Sequence, residues 1–380
     1  MKRIFLLLLC FVMLFSLCAC GQSASQKPEA NDPTQVGSDG EAAVTIDGTA
    51  YSAAEVDYYY HIVFNNLVRN PYAAYIGISA NMDRSAAMNE TARTAFGVED
   101  ENCTWDVYLK EEAINNLKYV DALYKLAQKE GFTFTDAMQK DLDDILESLR
   151  TTAEGAGMSE EDYLKVAFGS NATKDIYIKV WKQAAIANAY SDNHQAGLSY
   201  SDSDLEAYYT DHSDELDKTV RTIDVRHILF LTDTSSLDKN AATYEADVQA
   251  VKDAAKAKAD EALQNWKAGE ATEESFAAMA NELSEDPGSN TNGGLYEKVY
   301  PGQMVQPFND WCFDESRKAG DTGVVETSYG YHVMFFTGEN IPYWKMVAEN
   351  ALRSEDQDAW LQSLVKDVTV TQGPAMKDVG

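Results

Sequence analysis

Between Val225 and Thr337 the chain carries short strand-like stretches separated by helical periods and a glycine-rich loop, and that arrangement admits few folds. Residues 221–231 read as one strand, with Ile228, Leu229 and Phe230 forming an apolar run after Val225-Arg226-His227. Residues 241–266 have helical periodicity and would cover it, and 276–280 lie on a second helix. A loop at 284–294 follows, and 323–326 and 331–337 supply two further strands. None of these pieces buries an apolar face alone, so they are expected to pack as one small α+β unit.

The flanks are helical. Residues 44–51 alternate and turn at Asp47-Gly48, a hairpin signal, and Ser52 then caps a helix carrying Tyr58, Tyr59, Ile62, Val63 and Leu67 that ends near Asn70-Pro71. From Thr104, the residues Trp105, Leu109, Ile114, Leu117, Val120, Leu123 and Leu126 recur at three- and four-residue spacing until Gly131. Further helices are expected at 136–149, 159–167, 173–193, 202–216 and 342–365, the last with Trp344, Leu352, Trp360 and Leu361 as apolar positions. The organisation predicted is a helical domain over 44–218, an α+β domain over 219–340 and a C-terminal helical segment over 341–372. Residues 73–102 fit neither pattern and read as an insertion. His61 and His194 read as helix residues without a role, and Tyr58, Tyr59, Tyr60 and Tyr72 as packing or surface residues.

The first nineteen residues place Lys2 and Arg3 before an apolar run that is too short to span a bilayer, which makes them a secretion signal. Leu17-Cys18-Ala19-Cys20-Gly21 resembles a bacterial lipobox, with cleavage before Cys20 and lipidation of its thiol. Two or more acyl chains, at about 0.8 kcal/mol per buried methylene, would hold the chain on a membrane without a spanning helix. Residues 20–43 are rich in Ser, Gln, Pro, Asn and Gly and read as a flexible tether. Cys103 and Cys312 would then be the free cysteines of the mature chain, in different domains. A net charge of -31 excludes nucleic acid as a partner, because phosphates would be repelled.

Several blocks in the α+β region carry a resemblance. Val225-Arg226-His227-Ile228-Leu229-Phe230, Ser284-Glu285-Asp286-Pro287-Gly288-Ser289, Gly293-Gly294-Leu295, Gly302-Gln303-Met304-Val305-Gln306-Pro307-Phe308 and Tyr329-Gly330-Tyr331-His332-Val333 occur in the order found in parvulin-type peptidyl-prolyl cis/trans isomerases, and the resemblance covers 221–338. In foldases of the PrsA and SurA type a helix similar to Leu205-Glu206-Ala207-Tyr208-Tyr209 joins the chaperone domain to the isomerase, and the opening segment 44–67 resembles the start of that chaperone domain. The resemblance implies a parvulin fold inserted before a C-terminal helix that packs back on the N-terminal helices. It implies a proline pocket of Leu295, Met304 and Phe308, with His227 and His332 hydrogen-bonded to one another beneath it. Asp286 would modulate the local field, Tyr329 and Thr327 would flank the opening, and Thr327 would be a hydroxyl partner for His332.

The reaction is rotation about the bond preceding proline, whose barrier is about 18–20 kcal/mol. No bond breaks, so no cofactor is needed; an apolar grip on the ring and a fixed polar environment for the twisted carbonyl suffice. His227, His332 and Asp286 would also fit a two-histidine, one-carboxylate metal set, but a mutual histidine bond occupies those nitrogens. Residues 232–238 supply no basic side chain where phosphate-specific parvulins have them, so no preference for phosphoserine-proline is expected. The partners implied are unfolded or partly folded exported proteins with Xaa-Pro bonds, together with the membrane through Cys20. A second copy of the chain is a further candidate partner. The competing reading is a non-catalytic holdase with a structural parvulin domain.

Overall fold

The computed structural model describes residues 41–380; the signal sequence, Cys20 and most of the tether lie outside the described residues. The described residues divide into two units, 41–198 with Asp356–Gly380, and Ser199–Glu355.

In the first unit, β1 (Val44–Ile46) and β2 (Thr49–Tyr51) form the hairpin, and α1 (Ala53–Arg69), α2 (Glu90–Phe96), α3 (Trp105–Lys129), α4 (Asp136–Gly155), α5 (Glu160–Phe168) and α6 (Lys174–Gly197) follow. Ser52, Thr104, Thr135, Ser159 and Thr173 each accept a hydrogen bond from a first-turn backbone N–H of α1, α3, α4, α5 and α6. Each such cap is worth about 1 kcal/mol, which is why these starts were legible. Tyr58, Tyr59 and Tyr60 are buried packing residues, whereas Tyr72 is exposed. Residues 73–102 are part of this core: Ile76, Ile78, Met88 and Ala92 share a cluster with α1 and α3.

The second unit starts with α7 (Asp202–Asp211) and continues through β3 (Arg221–Leu231), α8 (Tyr244–Ala268), α9 (Glu273–Leu283), β4 (Leu295–Val299), α10 (Gln306–Cys312), β5 (Thr322–Glu326) and β6 (Gly330–Pro342) into α11 (Tyr343–Val365). Its sheet has the order β4-β3-β6-β5, with every pair antiparallel. Alternation along β3 sends Ile228 and Phe230 to one face, against Ala255, Ala259 and Trp266 of α8 and Phe276 of α9. Ile223 and Val225 go to the other face with Phe308 and Cys312 of α10. Leu205, Trp344 and Ala348 bury against one another, so α7 and the start of α11 lie in this unit, and the boundaries read at 218/219 and 340/341 fall inside it.

The far end of α11 lies in the first unit, where Leu361 packs with Leu123, Tyr124 and Ala127 of α3 and Ile186 and Tyr190 of α6. His194 stacks on Trp360 with centroids 3.7 Å apart and bonds Gln357 at 2.8 Å. A short strand, β7 (Val370–Gln372), closes the outer edge of β1, and Gly373 N–H donates to Ala43 at 2.8 Å. The fold therefore reaches into the stretch read as tether, since Ala43 is fully buried. The sequence gives no signal for β7, whose three residues are all exposed. Among the described residues no helix is long and apolar enough to cross a membrane.

Candidate active site

The site is built on the α10 face of the sheet. β3 and β6 pair with Leu229 opposite His332 and His227 opposite Met334, so the two histidines lie diagonally across adjacent strands on one face. Both are buried, and their Nδ1 atoms are 3.0 Å apart.

The loop after α9 delivers the carboxylate. Ser284 Oγ accepts from the Leu229 N–H at 3.1 Å, Glu285 N–H donates to the Leu229 carbonyl at 2.9 Å, and the Glu285 carboxylate accepts from the Leu231 N–H at 2.6 Å. The loop thereby takes over the edge of β3 where β4 has ended. It places Asp286 Oδ2 2.9 Å from His227 Nε2. Gly294 lets the strand approach: its φ is +71°, its carbonyl accepts from the His227 N–H at 2.8 Å, and a Cβ there would stand 2.2 Å from the His227 carbonyl oxygen.

Asp286 Oδ2 accepts from Ser289 Oγ at 2.5 Å and from the Tyr296 hydroxyl at 3.0 Å as well as from His227, and Oδ1 accepts from the Gly288 N–H at 3.2 Å. The hydrogen bond from His227, aided by Ser289 and Gly288, holds the Asp286 carboxyl well below the usual carboxylate range despite partial burial. An ionised carboxylate only accepts, so His227 Nε2 carries a proton. In the neutral pair His227 Nδ1 is then the acceptor and His332 Nδ1 the donor. His332 Nε2 in turn accepts from Thr327 Oγ1 at 2.8 Å, and Thr327 Oγ1 accepts from the Tyr329 N–H at 3.1 Å. The result is a one-way relay from the Tyr329 amide to Asp286. Burial, reinforced by His227, lowers the His332 pKa to about 4, which keeps its ring neutral.

The apolar side of the site is Phe308, whose ring stands edge-on to His227 and His332 with centroids 5.5 Å away from each. Pro307 in the first turn of α10 suits that turn, since proline there forgoes only an N–H with no helical partner. Met304 is half-buried against the same cluster, and Tyr329 is exposed on the turn between β5 and β6. Two residues depart from the sequence reading. Leu295 pairs with Arg226, so its side chain shares the α9 face rather than the histidine face; a strand alternates, and Tyr296, opposite Val225, is the β4 residue on the site side. Ser289, fully buried, was also missed, although a Ser three residues after an Asp in a loop is a turn signal that could have located it.

Against this geometry, the family model of the PPIC-type PPIASE domain matches residues 212–339. Foldase protein PrsA 1 of Listeria monocytogenes is 31% identical over 140 residues, which are 37% of this chain and 36% of that protein. Foldase protein PrsA of Geobacillus sp. is 34% identical over 107 residues, 26% of this chain and 38% of that protein. The chain thus spans under two thirds of the length of the curated relatives it matches. The crystal structure of PrsA from Bacillus subtilis matches at 20% identity and a TM-score of 0.39, over 71% of this chain and 88% of that one. Residues 212–339 accordingly match a PPIC-type, that is parvulin-type, domain, and the chain is similar to PrsA foldases over part of their length.

Proposed function

We propose that the chain is a peptidyl-prolyl cis/trans isomerase and foldase for exported proteins, tethered through a lipid on Cys20 to the outer face of the cell membrane of a Gram-positive bacterium. The observation that carries the catalytic reading is the buried His227–His332 pair, running from Thr327 to an ionised Asp286 directly beneath Phe308.

In this reading Phe308 and Met304 hold the prolyl ring. Rotation carries the imide carbonyl out of conjugation, and a fixed, desolvated polar wall meets the twisted state without being reorganised. The histidine pair orients that wall. Asp286 acts as a fixed negative charge and not as a proton donor, because its Oδ2 is already filled by three donors. The clients are unfolded chains whose Xaa-Pro bonds isomerise slowly enough to limit folding.

The test is a prolyl-isomerisation assay on the full chain, with His332→Ala and Met304→Ala as controls. Turnover well above background that both substitutions depress supports the reading. Background turnover combined with suppression of client aggregation would replace it with a holdase. For the anchor, incorporation of labelled fatty acid that disappears in Cys20→Ser supports membrane attachment, and incorporation that persists refutes it.

A further inference from the structure

Tyr296 has no counterpart in the roles above. Its ring lies 5.4 Å from that of His227, and its hydroxyl donates to Asp286 Oδ2 at 3.0 Å. Gly288 makes room for it: a Cβ at Gly288 would stand 2.7 Å from that hydroxyl, and Gly288 does not hold a left-handed conformation that would itself require glycine. The absent Cβ thus serves the phenol.

Oδ2 already receives Ser289 at 2.5 Å and His227 at 2.9 Å. Every added donor brings a positive hydrogen to the carboxylate and spreads its charge, which weakens its pull on a proton carried by the imidazoles. Ser289 Oγ is also 3.1 Å from His227 Nε2 and could donate to it instead, which would reverse the relay. That reversed state would set a ring lone pair against Oδ2, so a firmly ionised Asp286 forbids it.

We propose that Tyr296 is a positioning residue of this domain: by completing the donor set of Asp286 Oδ2 it lowers the proton affinity of the His227–His332 pair and holds the neutral relay in one polarity. Its catalytic consequence rests on the isomerase reading; its effect on the pair does not. Facing the pair are Asp286 and Ser289 from the loop, Tyr296 from β4, Thr327 from the turn after β5, and Phe308 from α10. Cys312 lies in the same apolar cluster as Phe308, its thiol pushed up to about 12 by burial and so uncharged. Asp286 is the carboxylate among these groups. With the phenol gone, its charge bears more fully on the pair.

The experiment follows the imidazole nitrogens of the full-length protein by NMR across pH, in wild type, Tyr296→Phe and Gly288→Ala. The second variant keeps the phenol and displaces its hydroxyl. The midpoint at which the pair takes up its first proton is expected to rise by about one pH unit in both variants, the size of one lost hydrogen bond to a charged group. The acid limb of kcat/KM should move with it through kcat, with KM the less affected. An unchanged or lowered midpoint in folded Tyr296→Phe overturns the proposal. A raised midpoint in a protein without turnover supports it and removes the isomerase reading instead.

Discussion

His227 and His332 meet Nδ1 to Nδ1 at 3.0 Å, an arrangement in which one ring must donate and the other accept. The direction is set by the ionised Asp286 at one end, and the Thr327 hydroxyl at the other follows it by donating to His332 Nε2. Removing either ring therefore strands a buried partner.

His332→Ala leaves His227 Nδ1 without its partner in a buried site, while Thr327 Oγ1 keeps only the Gly330 carbonyl and the Tyr329 N–H. Turnover is expected to fall by about tenfold or more, for each 1.4 kcal/mol of lost transition-state stabilisation is tenfold in rate. Stability should fall by about 1–3 kcal/mol, the cost of unsatisfied buried polar groups. Steady-state kinetics and urea denaturation of the same preparation measure both; wild-type turnover in the variant would exclude a catalytic role for the pair.

Acid should weaken the second unit through His332. Its folded pKa of about 4 lies below the ordinary imidazole value of 6.5, so between those values the unfolded chain holds more protons. Its contribution is complete above 6.5 and is lost as pH falls toward 4, by up to about 3 kcal/mol. Asp286, held ionised, keeps its contribution through this window. Denaturation midpoints at several pH values should show the decline in wild type, and a shallower one in His332→Asn.

Gly294→Ala should be among the most damaging single changes in the domain. A Cβ would stand 2.2 Å from the His227 carbonyl oxygen at a φ of +71°. Loss of more than about 2 kcal/mol, together with loss of turnover, is expected from the forced separation of β4 and β3. A variant with the wild-type denaturation midpoint would show that the strands separate without cost.

Met304→Ala should raise KM several-fold, because it removes an apolar contact from the Phe308 side of the site. Leu295→Ala, on the opposite face of the sheet, should change KM far less. Equal effects would return Leu295 to the pocket.

Phosphorylation of the residue before proline should not improve turnover. Residues 232–238 carry Asp233 and Asp238 and neither lysine nor arginine, and Lys239 follows one residue beyond the stretch. Peptide pairs differing by one phosphate test this, and a clear gain in kcat/KM on the phosphorylated member would refute it.

Much of the site could be read along the chain because its parts are local. Strand alternation around His227 and His332, the helix caps at Ser52 and Thr104, and Pro307 before Phe308 each follow from interactions within a few residues. Tyr296 escaped because its partner Asp286 lies across the loop, ten residues away, whereas Ser289 carried a local turn signal that was passed over; Leu295 was placed on the wrong face because a glycine turn hides where strand parity begins. Strand β7 escaped for a related reason: its residues are exposed and exist as a strand only because the edge of β1 is open to them.

Sequence by itself determined the local elements, the order of the motifs and the residue types available for chemistry, since propensity, capping and periodicity act over one or two turns. The tertiary structure decided which face each strand presents, which halves of α11 join which unit, and the polarity of the relay. Those depend on register and on donors brought together from β3, β4, β6 and two loops, and such long-range pairings leave no periodic trace in the chain.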